Sequence, residues 1–242
     1  MNLIIDVGNT FVKLAVFQES ILKEKVVVSL EVFEKSFKKI LESFPKLQKC
    51  IISSVGKLGK DQEDLIALSL NTVILNAETK LPFKNLYKTP KTLGVDRIAL
   101  VSASVQQFPD KNCLIIDAGT CITYDFINKS REYLGGAISP GIRLRYKALH
   151  NLTANLPLLE TEQPENITGN STSSAIHSGV VNGILKEIDG VIVDYQNKYS
   201  DLTVILTGGD ANFLSKQLKS SIFANSNFLL EGLNFILEHN SH

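Results

Sequence analysis

The chain has 242 residues, 44% of them hydrophobic, and 25 Lys and Arg balance 25 Asp and Glu. That apolar share supplies a sizeable core, and the absence of net charge leaves no bulk field to hold nucleic acid or an anionic membrane surface, so neither is expected as a partner. The length suits one or two units sharing a continuous core.

In chain order, the N-terminal run Leu3–Gly8 (LIIDVG) and the following Thr10–Phe17 (TFVKLAVF) read as two strands of a hairpin whose turn carries an Asp and a Gly. Asp6, Asn9 and Lys13 interrupt its apolar character, and with no basic start it is not expected to be a signal peptide. No later stretch reaches the roughly 18 apolar residues of a membrane helix, and a cytoplasmic protein is expected. Strands over 25–29, 49–53 and 72–76 alternate with helices over 31–43, 62–70 and 96–107. Turn-forming residues at 108–112 mark a boundary. Leu114–Gly119 (LIIDAG) then repeats the first strand with five identities in six at an offset of 111 residues, and Thr120–Ile127 (TCITYDFI) repeats the second.

Further on, a Gly- and Pro-bearing run over Gly135–Gly141 leads into a helix over 142–152. A long helix follows over 173–199, then a strand over 202–207 entering Gly208 and Gly209, then helices over 211–220 and 229–238. The alternation indicates an α/β protein. Its repeat indicates two similar halves facing each other across a central cleft, 1–110 and 111–242.

Cys50, Cys113 and Cys121 share no metal-ligand spacing and read as small buried residues. Asn-X-Ser/Thr matches at Asn128, Asn151, Asn166 and Asn170 are chance sequons if no secretion signal exists. His150, His177, His239 and His242 form no ligand pair.

The segment Asp6–Thr10 (DVGNT) sets a carboxylate at the end of an apolar strand, before a Gly turn and a hydroxyl. Such a turn presents backbone N–H groups to a phosphate, with Asp6 placed for Mg²⁺ and Lys13 for a phosphate oxygen; an ordinary hairpin turn would carry the same residues. The second copy, Asp117–Thr120 (DAGT), supplies the other side of a phosphate clamp suited to phosphoryl transfer. The P-loop pattern G-x-x-x-x-G-K-[ST] is missing, and Gly56–Lys60 has the wrong spacing for it. Gly208 and Gly209 give bare backbone against which adenine or ribose can lie, or else simply connect strand to helix. The helix after Gly141 offers its N-terminus to an anion, or the Gly and Pro merely shape a turn. In Gly94–Arg97 (GVDR), Asp96 either complements a helix dipole or accepts a hydroxyl proton, and Arg97 either pairs with it or binds a carboxylate or phosphoryl group.

In this order and spacing, DxGNT with Lys13, GxDR, DxGT, GGAIxPG over 135–141, TxxAxxSG over 172–179 and TGG over 207–209 resemble type III pantothenate kinases. These belong to the superfamily of acetate and sugar kinases, Hsp70 and actin. The resemblance implies a duplicated ribonuclease H-like (actin/hexokinase-type) core and transfer of the ATP γ-phosphoryl group to the primary hydroxyl of pantothenate, the first step toward coenzyme A. It implies ATP binding by Asp6, Val7, Gly8, Asn9, Thr10, Phe11, Val12 and Lys13, and by Thr120, Gly208 and Gly209. It makes Asp96 the general base and gives pantothenate Tyr87, Gly94, Val95, Asp96, Arg97 and Thr172. Asp6 would lie near the Mg²⁺ that accompanies ATP, Asp117 would hold the monovalent cation, K⁺ or NH₄⁺, and the protein would form a homodimer. Another small-molecule kinase of the superfamily and a nucleotide-binding regulatory protein without turnover are the alternative readings.

Overall fold

The computed structural model describes residues 1–8, 11–54 and 58–241. The chain divides into two compact units: residues 1–109, 131–133 and 227–242 form the first, and 110–130 and 134–226 form the second.

The first unit is built on strands β1 (Asn2–Val7), β2 (Val12–Gln18) and β3 (Ile21–Val28), followed by helix α1 (Phe33–Ser43), β4 (Lys49–Ser54), α2 (Lys60–Ser69) and β5 (Asn71–Ile74). The sheet order is β3-β2-β1-β4-β5. Antiparallel hairpins join β1, β2 and β3, whereas β4 and β5 are added in parallel, which requires the crossover helices α1 and α2 between them. Every residue of β1 is buried, as its LII run requires of a strand covered on both faces. Phe33 and Phe37 of α1 stack at 5.9 Å within the core that this sheet forms with Leu3, Ile5, Leu14 and Ile52. A short strand β6 (Lys84–Asn85) and helix α3 (Val95–Gln107) complete the N-terminal part.

The second unit repeats the plan with β7 (Asn112–Ala118), β8 (Cys121–Ile127) and β9 (Glu132–Pro140), then α4 (Ile142–Asn151), α5 (Thr172–His177), α6 (Gly183–Lys198), β10 (Leu202–Thr207), α7 (Ala211–Ser215) and β11 (Phe223–Ala224). Its strands run β9-β8-β7-β10-β11, the order of the first sheet, with β8 antiparallel to β7 and β10 parallel to it. Leu114, Ile116, Ile184, Ile188 and Leu206 are central to its core.

Helix α8 (Phe228–His239) groups with the first unit. Asn2 donates to Asn234 at 2.8 Å, and Asn234 donates to the carbonyl of Glu19 at 2.9 Å, so a buried amide fastens α8 to β1 and the β2–β3 turn. Gly232 lets α8 lie directly on α3, because a Cβ there would stand 1.9 Å from the carbonyl oxygen of Ala99.

The structure departs from the sequence expectations at several elements. β3 begins at Ile21 rather than Lys25, because Glu19 takes a left-handed conformation (φ 55°) that closes a tight β2–β3 turn. The Gly- and Pro-bearing run, assigned to no strand from the sequence, is, through Pro140, the end of β9, and Gly136 passes so close to β8 that a Cβ would sit 1.6 Å from the carbonyl oxygen of Tyr124. The helix expected over 173–199 is α5 and α6 joined by a π-helical turn, Ser178–Asn182. The helix expected over 211–220 ends at Ser215. Among the described residues no helix is long and apolar enough to cross a membrane.

Candidate functional site

In the first unit, the β1–β2 register sets Asp6 opposite Lys13, so both side chains leave the same face of the sheet. Lys13 Nζ lies 2.8 Å from Asp6 Oδ2, and Asp6 is only 6% exposed. Its parallel neighbour on β4 is Ser53, whose buried Oγ has no hydrogen-bond partner among the described residues. The Gly8 N–H donates to the Phe11 carbonyl at 3.0 Å and closes the turn. Phe11 is exposed, while Val7 and Val12 are core residues with no exposed side chain, so contact from them to a ligand would be through the main chain. Asn9 and Thr10 lie outside the described residues.

The same unit holds Gly94–Arg97. Gly94 caps α3 and Asp96 stands in its first turn, where its carboxylate folds back on the helix start and Oδ1 accepts the Arg97 N–H at 2.9 Å. That conformation needs Gly94, since a Cβ there would be 2.3 Å from Asp96 Oδ1. Arg97 is 5% exposed, and its guanidinium carbon lies 5.5 Å above the ring of Tyr87. Tyr87, nine residues before Asp96 in sequence, is thus brought onto the GxDR motif. Its ring stacks on Tyr133 at 6.0 Å, and Tyr133 meets Phe83 edge-on at 6.0 Å. Tyr133 and Phe83 escaped the sequence reading, because the pairing of β6 with the first residues of β9 leaves no local pattern.

In the second unit, Asp117 is the penultimate residue of β7, with Thr123 as its ladder neighbour on β8 and Thr207 on β10, so three oxygen-bearing side chains share one face. Thr207 is 2% exposed, and the buried Oγ1 of Thr123 has no hydrogen-bond partner among the described residues. Gly208 has φ +96°, and a Cβ there would be 2.3 Å from the Ala118 carbonyl oxygen and 2.4 Å from Asp117 Oδ1. The Asp210 N–H donates to the Ala118 carbonyl at 2.9 Å, which draws the Gly208–Gly209 loop onto the end of β7. Burial raises the Asp210 pKa, against an opposing pull from Arg143.

On the other side of the β7–β8 turn, Gly141 N–H donates to the carbonyl of the exposed Thr120 at 3.1 Å; a Cβ on Gly141 would be 2.1 Å from the Gly119 carbonyl oxygen. A partly buried ion pair accompanies this approach. Glu187 of α6 accepts from Arg145 and from the Tyr124 hydroxyl, and Arg145 also donates to the Pro140 carbonyl and the Ser139 hydroxyl. Burial works against ionisation of Glu187, but the bonds from Arg145, Ser139 and Tyr124 win and lower its pKa; burial raises that of Tyr124, with Glu187 adding to the effect. None of this network was legible in sequence.

Thr172 opens α5 in an exposed position, next to Ser171, whose hydroxyl caps the helix by accepting the Ser174 N–H at 3.2 Å. A polar cavity of about 310 Å³ alongside is lined by Glu162, Glu165, Asn170, Ser171, Ser173 and His177 among others, but not by Thr172. The sequence-derived residues therefore form two groups in the first unit and one around Asp117 in the second, with Thr172 at the mouth of a helix by itself.

Comparison with known proteins adds the following. A family model described as type III pantothenate kinase matches residues 2–194. A protein described as type III pantothenate kinase from Christiangramia forsetii is 55% identical over 240 residues, covering 99% of each chain. Another so described, from Flavobacterium johnsoniae, is 54% identical over 233 residues, 96% of each. Among solved structures, a conserved Campylobacter jejuni protein assigned to the Baf family of transcriptional activators superposes with a TM-score of 0.64 at 23% identity, covering 98% of each chain. Glucokinase from an Antarctic psychrotroph does so with a TM-score of 0.54 at 10% identity, again over 98% of each. At these identities the two likenesses bear on the fold alone, and the glucokinase places it with the duplicated ribonuclease H-like core of the sugar kinases.

Proposed function

Because the chain belongs to the type III pantothenate kinase family, we propose that it transfers the γ-phosphoryl group of ATP to the primary hydroxyl of pantothenate, yielding 4′-phosphopantothenate in the first step of coenzyme A biosynthesis. The observation that carries this reading is the start of α3: a carboxylate held in one orientation by its neighbour's N–H, beside a buried guanidinium covered by an aromatic ring. An alcohol attacking phosphorus must lose its proton, and a pantothenate carboxylate needs a fixed cation. Asp96 and Arg97 supply these from adjacent positions on one helix turn.

In this reading the acceptor oxygen bonds to the γ-phosphorus, the bond from that phosphorus to the β,γ-bridging oxygen breaks, and Asp96 takes the hydroxyl proton while ADP leaves. The chain's part is to align the oxygens and neutralise charge. Asp6, Val7, Gly8, Asn9, Thr10, Phe11, Val12 and Lys13 receive ATP, together with Thr120, Gly208 and Gly209. Gly94, Val95 and Arg97 hold pantothenate with Tyr87, and Thr172 contributes to the same substrate in a homodimer.

Asp6, whose carboxylate is an oxygen donor paired with Lys13, would lie near the Mg²⁺ that accompanies ATP. For the monovalent cation, K⁺ or NH₄⁺, the residues around Asp117 fit: one carboxylate, the Thr123 and Thr207 hydroxyl side chains on the same face, and a buried Thr123 oxygen that has no hydrogen-bond partner among the described residues. Such an ion supplies positive charge next to a transferring phosphoryl group. The surroundings proposed are cytoplasmic.

The test is pantothenate-dependent ADP release from ATP and Mg²⁺, measured in K⁺ and again in Na⁺ alone. Turnover in K⁺ that falls in Na⁺ is expected, and Asp96→Asn is expected to lower kcat by about 10²–10⁴-fold, as general-base loss does. No pantothenate-dependent ADP in K⁺ would refute the proposal. Turnover on a different small alcohol would turn the reading to another kinase of the superfamily, and nucleotide binding without turnover on any acceptor to a regulatory protein.

A further inference from the structure

Residues 131–133 group with the first unit, although the chain on both sides of them belongs to the second. They are tied there by backbone bonds from Lys84 N–H to the Arg131 carbonyl (2.8 Å) and from Leu86 N–H to the Tyr133 carbonyl (3.0 Å), and by an ion pair between Lys84 and Glu132 at 3.0 Å. The side chain that this excursion buries is that of Tyr133. Tyr133 is fully buried, its ring edge-on to Phe83 and stacked on the half-buried Tyr87 at an interplanar angle of 27°. Tyr87 in turn covers the Arg97 guanidinium.

We infer that Tyr133 is a positioning residue for the acceptor site: it holds Tyr87 flat against Arg97 and so fixes the direction in which the guanidinium can bind a carboxylate. The inference rests on the reading that Tyr87 and Arg97 hold the acceptor. A guanidinium recognises a carboxylate through N–H groups lying in its own plane, so a ring pressed on its face leaves that plane usable while stabilising a charge that is almost wholly removed from water. The ring does this only if it cannot tilt away, and Tyr133 stacks on Tyr87 with ring centroids 6.0 Å apart. Two of the links, Tyr87 to Tyr133 and Tyr133 to Phe83, are aromatic contacts at separations where ring pairs have a preferred geometry. A smaller aliphatic side chain at 133 keeps the strand pairing, which is made by backbone atoms, but removes the wall.

The experiment measures steady-state constants for both substrates in Tyr133→Phe, Tyr133→Leu, Tyr133→Met and Arg97→Met, with cooperative thermal unfolding as the check on folding. Tyr133→Phe keeps the ring and is expected to stay within about twofold of the parent for every constant. Tyr133→Leu and Tyr133→Met are expected to raise the pantothenate KM roughly tenfold, the scale of losing an aromatic pair's orientation, while the ATP KM stays within about twofold. The Met variant fills the volume with an unbranched chain, so the measurement survives if the Leu variant does not fold. In a Tyr87→Leu background the same substitutions at 133 should add almost nothing. A pantothenate KM unchanged in folded Tyr133→Leu or Tyr133→Met, with Arg97→Met raising it, overturns the role of Tyr133 and leaves the acceptor reading standing. Equal rises in both KM values also overturn it, because they mark a general loss of structure. An Arg97→Met enzyme with an unchanged pantothenate KM overturns the acceptor reading, and the inference with it.

Discussion

Replacing Gly208 by Ala tests the geometry around Asp117 most severely. The residue sits at φ +96°, where an L side chain is strained by about 1–3 kcal/mol. The added methyl would also stand 2.3 Å from the Ala118 carbonyl oxygen, 2.6 Å from the Ala118 carbonyl carbon and 2.4 Å from Asp117 Oδ1. Two of these neighbours are main-chain atoms of β7, which cannot swing aside as a flexible side chain would, so the loop or the strand end must move by about an ångström. Overpacking of that kind costs about 1–3 kcal/mol. Together the two effects amount to about 2–6 kcal/mol, and for a chain of this size about 2–4 °C of Tm per kcal/mol gives a fall of about 4–24 °C. The assay is a thermal melt with and without ATP, paired with the ATP KM. Gly209→Ala is the control for stability, since a Cβ there meets nothing within 4 Å and the residue's φ lies outside the left-handed range. A Gly208→Ala Tm within about 2 °C of the parent would refute the reasoning, because neither the backbone strain nor the contact with Asp117 could then be real.

Three further outcomes are expected. Gly232→Ala should lower Tm by about 2–12 °C through about 1–3 kcal/mol of overpacking, since its methyl would lie 1.9 Å from the Ala99 carbonyl oxygen and force α8 off α3; a melt unchanged to within a degree would contradict that contact. Glu187→Gln should lower Tm at pH 7, and the difference from the parent should shrink as pH falls below about 4.5. The sign follows from a folded-state pKa held below the usual glutamate value: the stabilisation is complete above that value and is lost as the folded carboxylate takes up its proton. A difference that grows on acidification would mean that the ion pair with Arg145 is not its source. Thiol labelling of the folded protein near pH 8 should modify Cys121, which is exposed, and spare Cys50 and Cys113; burial pushes both of these thiols up, Cys113 to about 12 with Asp201 adding to the effect, and rapid labelling of two or three thiols would refute the burial.

What the sequence disclosed was local. The two strands flanking the first turn were legible, but the sequence set Asp6 to Mg²⁺ and Lys13 to a phosphate oxygen, and only the hairpin register shows that the two meet at 2.8 Å. The repeat was legible because both copies are buried apolar strands with the same residues at the same offset. Contacts closed by distant chain segments were hidden. Nothing in the apolar face of α8 says which sheet it will cover, and a single buried Asn234 attaches it to the first. Tyr87 and Tyr133 meet although they are far apart in sequence, through a two-residue strand too short to have a period. β9 was obscured by Gly135 and Gly136, residues that ordinarily signal a loop, because close passage over Tyr124 requires glycine within a strand.

The two Asp-Gly turns share a strand order and differ in length, and that difference separates their chemistry. In the first, Gly8 N–H closes on the Phe11 carbonyl and the residue facing Asp6 is Lys13, seven positions on (13 − 6 = 7). In the second, Gly119 N–H closes on the Cys121 carbonyl and the residue facing Asp117 is Thr123, six positions on (123 − 117 = 6). Lys13 aligns by the 111-residue offset with Tyr124, but the shorter turn brings Tyr124 out of register with Asp117. Side chains alternate along a strand, so Tyr124 leaves the opposite face and reaches Glu187 instead, while a hydroxyl takes the place of the ammonium. One carboxylate is thereby paired with an ammonium of the chain itself. The other shares its face with the Thr123 and Thr207 side chains, the setting proposed above for a monovalent cation.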